Sequence, residues 1–209
     1  MRTALTHWVQ LWQRLGLAGD GAAWHGRLLA GYAESSRHYH GVQHLEECLT
    51  LLDEAKACGQ AVANADAVEL ALWFHDAVYD SLAADNEECS ASLAGTALAE
   101  ANADPILVAD ITRLILATRI HQTNGFDDAR WLIDIDLAIL GQSQARFDEY
   151  ECQIREEYAW VPPSVYSAKR SEIMAVFLAR DAIYSTVYFR DRFESQSRTN
   201  IAGLMHALA

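Results

Sequence analysis

A histidine and an aspartate stand side by side where a strongly apolar segment ends. Residues 70–74 read Leu-Ala-Leu-Trp-Phe, and His75 and Asp76 follow them directly. A helix that is apolar on all sides is a buried helix, and burying a lone carboxylate is costly. Asp76 must therefore be paired, hydrogen-bonded or bound to a cation. A His–Asp pair that merely satisfies a helix end is the alternative.

Two further carboxylates lie inside a second apolar run, at residues 131–140. Asp134 and Asp136 are two positions apart, so on a helix they point to roughly opposite sides. One of them can face a site while the other caps a helix, forms a pair or meets solvent. An N-cap aspartate before a buried helix would explain one of the two, but not both.

A histidine-rich segment, Arg-His-Tyr-His-Gly-Val-Gln-His, occupies residues 37–44 and holds three of the eight histidines. His40 and His44 are four apart, which places them on one face if the helix includes both. Because Gly41 leaves the start of that helix open, an exposed histidine cluster is the alternative.

Taken in order, these segments give a histidine (His44), an adjacent His75-Asp76 pair and a distal aspartate (Asp136). This order resembles the HD superfamily of metal-dependent phosphohydrolases, whose fold is an all-α bundle. The closer resemblance is to a bacterial branch of predicted HD-type phosphohydrolases, and it covers about residues 24–200. Four motifs carry it: Arg-x-Tyr-His-x-x-x-His at 37–44, Phe-His-Asp-x-x-Tyr-Asp at 74–80, Asn-Glu-x-x-Ser at 86–90 and Asp-x-Asp-Leu-x-x-Leu-Gly at 134–141.

The resemblance implies that His44, His75, Asp76 and Asp136 bind one divalent metal ion. The pattern favours Asp136 over Asp134, although Leu137 stands where the family commonly has a basic residue. Two imidazoles and two carboxylates suit Mn²⁺, Fe²⁺, Co²⁺, Ni²⁺ or Mg²⁺, whereas structural zinc prefers thiolates in a closed site.

Other residues are candidates for the chemistry around the ion. Asp80 and Glu87 are candidates for handling the proton of the attacking water. Asp80 would share a helical face with Asp76 if the helix continues, and Glu87 begins the next helix. The resemblance adds His121, at the end of another helix. Stabilisation of helix dipoles is the alternative for Glu87 and His121.

Arg37 and His40 are the candidates for binding a substrate phosphate, because guanidinium grips phosphate oxygens in a bidentate way. The implied function is a metal-dependent phosphohydrolase acting on a small phosphate ester or nucleotide through metal-activated water. A catalytically silent metal- or nucleotide-binding regulatory module is the alternative. A redox protein that holds two iron ions is the third possible function, and it would need histidine and carboxylate ligands beyond these four.

Helices must position all of these residues, because apolar side chains recur at helical spacing and strand-like alternation is nearly absent. We predict one all-α domain over residues 1–209, with about eight to ten helices in an HD-type bundle. The expected helices are 3–16, 21–34, 41–58, 66–79, 86–102, 105–121, 128–140, 144–159, 164–179 and 181–207, the last one broken.

Composition and charge argue against several classes of protein. A net charge of −13 argues against a nucleic-acid polymer as partner, and no apolar run is long enough to span a bilayer. No signal peptide is recognisable, so we expect a cytoplasmic protein; a homodimer is left open. The four cysteines show no Cys-x-x-Cys spacing, and we interpret them as reduced thiols, with a disulfide framework as the alternative.

Overall fold

The computed structural model describes residues 1–123 and 125–208, and its regular structure there is entirely helical. The prediction of an all-α protein is confirmed. The described residues form ten α-helices and one 3-10 helix, Leu137–Gly141. The α-helices are α1 (Leu5–Arg14), α2 (Ala22–Tyr32), α3 (Val42–Ala57), α4 (Ala65–Phe74), α5 (Asn86–Glu100), α6 (Pro105–Thr118), α7 (Asp127–Asp136), α8 (Gln144–Glu157), α9 (Pro163–Leu178) and α10 (Val187–Leu208).

The chain divides into two compact units, residues 1–133 and 134–209. The expectation of a single domain over 1–209 stays a prediction. Among the described residues, no helix combines the length and the apolar character that crossing a membrane requires.

Helix α4 is the centre of the first unit. It packs against α1, α3, α5 and α6, and all residues from 67 to 74 are buried. Asn64 begins the helix, where its side-chain oxygen accepts a hydrogen bond from the Ala67 amide at 3.2 Å. A helix buried on every side holds its C-terminal residues in a fixed position, and these residues lead into His75 and Asp76.

The buried acid of α4, Glu69, is matched by cations from three other segments. Its carboxylate lies 3.0 Å from the Arg2 guanidinium, 2.9 Å from that of Arg14 and 4.0 Å from the Lys56 ammonium. Burial raises the pKa of Glu69, and these three cations partly offset that effect. The buried carboxylate of Glu69 is thus neutralised by basic side chains, as a buried charge with a structural role must be.

The second unit is built around α10, which packs against α9 and the 3-10 helix. Gly141 allows a close approach there, since a Cβ at this position would lie 2.5 Å from the Phe193 Cβ. The buried amide of Asn200 donates to the carbonyl oxygens of Leu140 and Gln142, each at 2.9 Å. These bonds satisfy carbonyls at the end of the 3-10 helix.

Candidate metal centre

The ring of His75 is fixed immediately after α4 ends. His75 is buried, and its Nδ1 lies 2.8 Å from the carbonyl oxygen of Leu72. Since a carbonyl oxygen can only accept, Nδ1 carries the proton and donates it. In the neutral ring, Nε2 is then left with its lone pair, which is the arrangement found in metal-binding histidines.

His44 meets His75 from the first turn of α3, the helix that packs against α4. The Nε2 atoms of the two rings are 3.2 Å apart, and both residues are buried. Helix α3 starts at Val42, so His40 precedes it rather than sharing a face with His44. The prediction that His40 and His44 share one helical face is therefore wrong.

Asp76 completes a triangle with the two imidazoles. Its Oδ2 lies 3.1 Å from Nε2 of His75 and 3.5 Å from Nε2 of His44, and its side chain is 17% exposed. Burial by itself would raise the pKa of Asp76, but the neighbouring His75, followed by His40 and His44, lowers the pKa overall. Three electron-rich atoms at these distances need a proton or a metal cation among them.

The dimensions of the triangle fit a single ion. Ligand atoms about 2.1 Å from one ion lie about 3.0–3.4 Å from each other in octahedral or tetrahedral geometry. The three observed separations are 3.1, 3.2 and 3.5 Å. Three of the four predicted ligands, His44, His75 and Asp76, are thus brought together in the first unit.

Sequence reasoning missed Cys48, which lies close to both histidines. Cys48 is buried one helical turn after His44, and the ligand atoms of His44, Cys48 and His75 all lie within 4.8 Å of one another. The spacing of four residues between His44 and Cys48 was the available signal. This spacing lies outside the Cys-x-x-Cys pattern that is typical of cysteine metal sites.

Arg37 supports the segment that carries Asp76. Its Nη1 donates to the Asp76 carbonyl oxygen at 2.5 Å, and its Nη2 donates to that of Ala77 at 3.0 Å. The Nε donates to Glu34, and the side chain is only 2% exposed. These bonds position the backbone of the centre; the role of Arg37 in binding phosphate stays a prediction.

His40 lies beside the triangle, outside α3. Its ring stacks on Tyr79 with centroids 4.0 Å apart, and its centroid is 6.2 Å from that of His44. It is half-buried and lies beside His44, one corner of the triangle. His40 therefore has both the nearness and the partial exposure that contact with a ligand of this centre requires.

Asp80 is not on a helix, because α4 ends at Phe74 and not near residue 79 as predicted. The carboxylate of Asp80 is exposed and accepts a hydrogen bond from the Leu82 amide at 2.9 Å. The expected shared helical face with Asp76 is therefore wrong. In this structure the Asp80 side chain stabilises the loop that leads to α5.

Helix α5 holds that loop from its first turn. The Asn86 side chain exchanges two hydrogen bonds of 3.0 Å with the backbone of Asp80. The Ser90 hydroxyl accepts from the Val78 amide at 3.0 Å and donates to the Val78 carbonyl at 3.2 Å. Glu87 lies between these two residues, half-buried in the first turn of the helix.

His121 lies beyond α6, which ends at Thr118, and its φ is +50°. Among the described residues, the cluster within ligand distance contains His44, Cys48 and His75 but not His121. A catalytic role for His121 stays a prediction.

The two aspartates of the second apolar run differ sharply. Asp134 is fully buried, and its two carboxylate oxygens accept hydrogen bonds from the amides of Ser185 and Thr186 at 2.8 and 2.7 Å. It thereby satisfies backbone donors just before α10 begins. Asp136 is half-buried at the last position of α7. Burial raises the pKa of the Tyr150 hydroxyl, and the charge of Asp136 adds a smaller part to that effect. The role of Asp136 as distal metal ligand stays a prediction.

Comparisons with known proteins add no relative. Protein-family models, curated proteins and solved structures were all compared with the chain, and none matches. The geometry of the centre and the motifs of the sequence are therefore the observations that bear on function.

Proposed function

We propose that this chain is a metal-dependent phosphohydrolase that acts on a small phosphate ester or nucleotide. The observation that supports it most is the triangle of His44 Nε2, His75 Nε2 and Asp76 Oδ2, with all sides between 3.1 and 3.5 Å. The all-helical architecture is compatible with the HD-type fold that the sequence motifs suggest.

In this proposal His44, His75 and Asp76 hold one divalent ion, with Asp136 as the distal ligand that the resemblance implies. A bound ion of this kind supplies Lewis-acid polarisation of a phosphoryl oxygen and acidifies water. The Leu72 carbonyl orients His75, while Arg37 fixes the main chain at Asp76. Both contacts reduce the freedom of the ligands before any ion arrives.

The remaining tasks fall to residues around the triangle. His40 is assigned to contact the substrate phosphate, because it is half-buried and its ring centroid lies 6.2 Å from that of His44. Glu87 is assigned to accept the proton of the attacking water, because Asn86 and Ser90 hold its helix against the loop after Asp76. Asp80 is the weaker candidate, since its carboxylate already caps a turn.

The test combines metal analysis with activity. We expect the purified protein to contain about one divalent ion per chain, and reloaded protein to hydrolyse members of a panel of phosphate esters and nucleotides. His75→Ala, prepared in the same way, is the control for contaminating phosphatases. Equal rates in the wild type and His75→Ala would refute the proposal.

A metal- or nucleotide-binding module without turnover is the second candidate. Two observations favour it: the Arg37 donors are engaged with main-chain carbonyls, and the Asp80 carboxylate is engaged in a turn. Saturable nucleotide binding to the metal-loaded protein, with no hydrolysis across the panel, would support this candidate against the enzyme.

A further inference from the structure

Helix α9 has a buried face and an exposed face that carries large apolar side chains. The buried face is formed by residues at helical spacing, namely Arg170, Met174 and Phe177. Outside that face, Val165, Ile173 and Val176 are exposed, and so are Trp160 and Val187, which flank the helix in the sequence. Residues 160–187 thus hold five of the eleven large apolar side chains that are exposed among the described residues. Such a concentration is typical of an interaction surface.

The exposed residues of α9 are arranged symmetrically about the middle of the helix. Val165 and Val176 form an outer pair and Lys169 and Glu172 an inner pair, and both pairs have their midpoint between residues 170 and 171. The outer pair is about three helical turns apart, so all four side chains lie on one stripe. Lys169 Nζ and Glu172 Oε2 are 2.8 Å apart, and both side chains are exposed. An identical stripe that runs in the opposite direction can therefore meet this one with matching residues.

We propose that the exposed face of α9 pairs with the same face of a second copy of this chain, antiparallel and about a two-fold axis. Val165 of each copy then packs against Val176 of the other, and Lys169 of each copy lies beside Glu172 of the other. The proposal is independent of the proposed function, because the triangle of metal ligands lies in residues 1–133 and α9 lies in residues 134–209.

Charge favours this face for self-association and selects its orientation. The chain has a net charge of −13, so two copies repel each other over most of their surface. Helix α9 is an exception, since it contains two basic residues and one acidic residue. In the antiparallel pair Lys169 meets Glu172, whereas a parallel pair in register would place Lys169 beside Lys169. Opposite charges across an interface stabilise one orientation and disfavour the other.

The size of the surface predicts a weak dimer. The 16 residues of α9 span about 24 Å, and contact between two helices of this length is small against the about 1,200 Å² that stable interfaces bury. Trp160 and Val187 extend the exposed apolar surface of this segment, and tryptophan is enriched among the residues that dominate binding. We therefore expect a reversible dimer with a Kd of about 1–100 µM.

Sedimentation velocity of the full chain, at about 1–300 µM, measures the association. We expect the wild type to dimerise as concentration rises, and Val176→Asp to weaken the dimer about tenfold or more, because it places a carboxylate in an apolar contact. Ile106→Asp adds the same charge at an exposed apolar position of α6 and should dimerise as the wild type does. A monomeric wild type would leave this face to a different partner and overturn the proposal. Normal dimerisation of Val176→Asp would also overturn it.

Charge reversal tests the orientation. Glu172→Lys alone places two lysines side by side across the axis, and Lys169→Glu alone places two glutamates there, so each should weaken the dimer about threefold or more. Combining Lys169→Glu with Glu172→Lys should restore the wild-type Kd. Because this ion pair is exposed, its reversal should change the stability of the monomer little. A double variant that dimerises no better than the single variants would contradict the antiparallel pairing.

Disulfide cross-linking tests the register. The background for this experiment lacks the exposed cysteines and carries Cys58→Ser, Cys89→Ser and Cys152→Ser. Val165→Cys and Val176→Cys are introduced into separate chains. A mixture of the two should give a linked dimer on oxidation, because residues that meet across the axis lie within bonding reach. Each variant alone should not, since its cysteine lies about 16 Å along the helix from its own copy. Equal cross-linking in the mixture and in the separate samples would overturn the proposed pairing.

Discussion

Asp76 and Asp134 both lie in apolar stretches of the sequence, and their partners differ in kind; Asp134 is fully buried and the Asp76 side chain is 17% exposed. The oxygens of Asp134 accept hydrogen bonds from two backbone amides, at 2.8 and 2.7 Å. Oδ2 of Asp76 instead faces two imidazole nitrogens, at 3.1 and 3.5 Å. Backbone amides always donate and can satisfy a carboxylate permanently. Imidazole nitrogens can give up their protons, so the Asp76 group can exchange a proton for a metal ion.

The comparison separates structural carboxylates from those available for chemistry. Asp134 stabilises the segment before α10, in the second unit. Asp76, on a segment positioned by Arg37, meets two histidines in the first unit. Asp134 is also the more deeply buried of the two, but the chemical nature of the partner is what separates a structural carboxylate from one available for chemistry.

The largest effect is expected from removing a member of the triangle. His75→Ala and Asp76→Ala should each abolish metal retention, because either change leaves too few ligands, while the helical circular dichroism spectrum stays largely unchanged. Elemental analysis after gel filtration measures the bound metal. His206→Ala, at an exposed position of α10, is the control and should retain metal normally. Full occupancy in both variants of the triangle would refute the ligand assignment.

Removal of the metal should abolish hydrolysis of any substrate that the wild-type protein turns over. Mn²⁺, Co²⁺ or Ni²⁺ should restore the rate better than Ca²⁺, because calcium prefers an all-oxygen shell and binds imidazole poorly. Initial rates of the chelated and reloaded protein provide the measurement. A chelated protein that keeps its full rate would contradict metal-dependent catalysis.

The two aspartates of the second run should respond in opposite ways to the same substitution. Asp134→Asn replaces an acceptor oxygen by a donor NH₂ group facing a backbone amide, so the free energy of unfolding should fall by about 3 kcal/mol. Metal affinity should be unchanged. Asp136→Asn should instead lower metal affinity about tenfold or more, with a small change in stability.

Denaturant titration and metal calorimetry on both variants decide this comparison. A large loss of metal affinity in Asp134→Asn, together with near-normal binding in Asp136→Asn, would reverse the assignment of the distal ligand.

The smallest effect is expected at Arg37, which positions the backbone without entering the triangle. Arg37→Lys keeps the charge but cannot hold the carbonyls of Asp76 and Ala77 with separate guanidinium nitrogens. Metal affinity should fall about tenfold. Glu34→Gln, which perturbs an exposed partner of Arg37, should change it little. Equal affinities in Arg37→Lys and the wild type would exclude this positioning role.

Much of the helical architecture could be predicted from periodicity alone. The predicted helix 41–58 corresponds to α3, Val42–Ala57, and the predicted helix 105–121 begins at Pro105 as α6 does. Apolar spacing and caps such as Asp104, which accepts from the Ile106 amide, are local features that the sequence displays directly. The His75-Asp76 pair was also visible, because polar groups beside buried apolar runs need partners. His44 was singled out by the histidine-rich segment and by the resemblance of the ordered motifs.

The ends of two helices depended on distant residues. Helix α4 was expected to reach residue 79 but ends at Phe74. The Arg37 guanidinium donates hydrogen bonds to the carbonyl oxygens of Asp76 and Ala77. The Ser90 hydroxyl accepts a hydrogen bond from the Val78 amide. Helix α10 was expected from residue 181 and starts at Val187, since Asp134 binds the amides of Ser185 and Thr186. Backbone groups satisfied by remote side chains no longer need helical partners.

The sequence by itself determined the all-helical class and most helix positions, because these follow from local spacing. It also singled out the histidines and aspartates that lie within or beside apolar segments, whereas the set of four ligands was implied by the resemblance of the ordered motifs. Only the tertiary structure decided that Cys48 lies close to His75, that Asp80 caps a loop and that Asp134 binds backbone amides. Which side chains meet is set by the packing of helices far apart in the chain, and local periodicity carries no information about that packing.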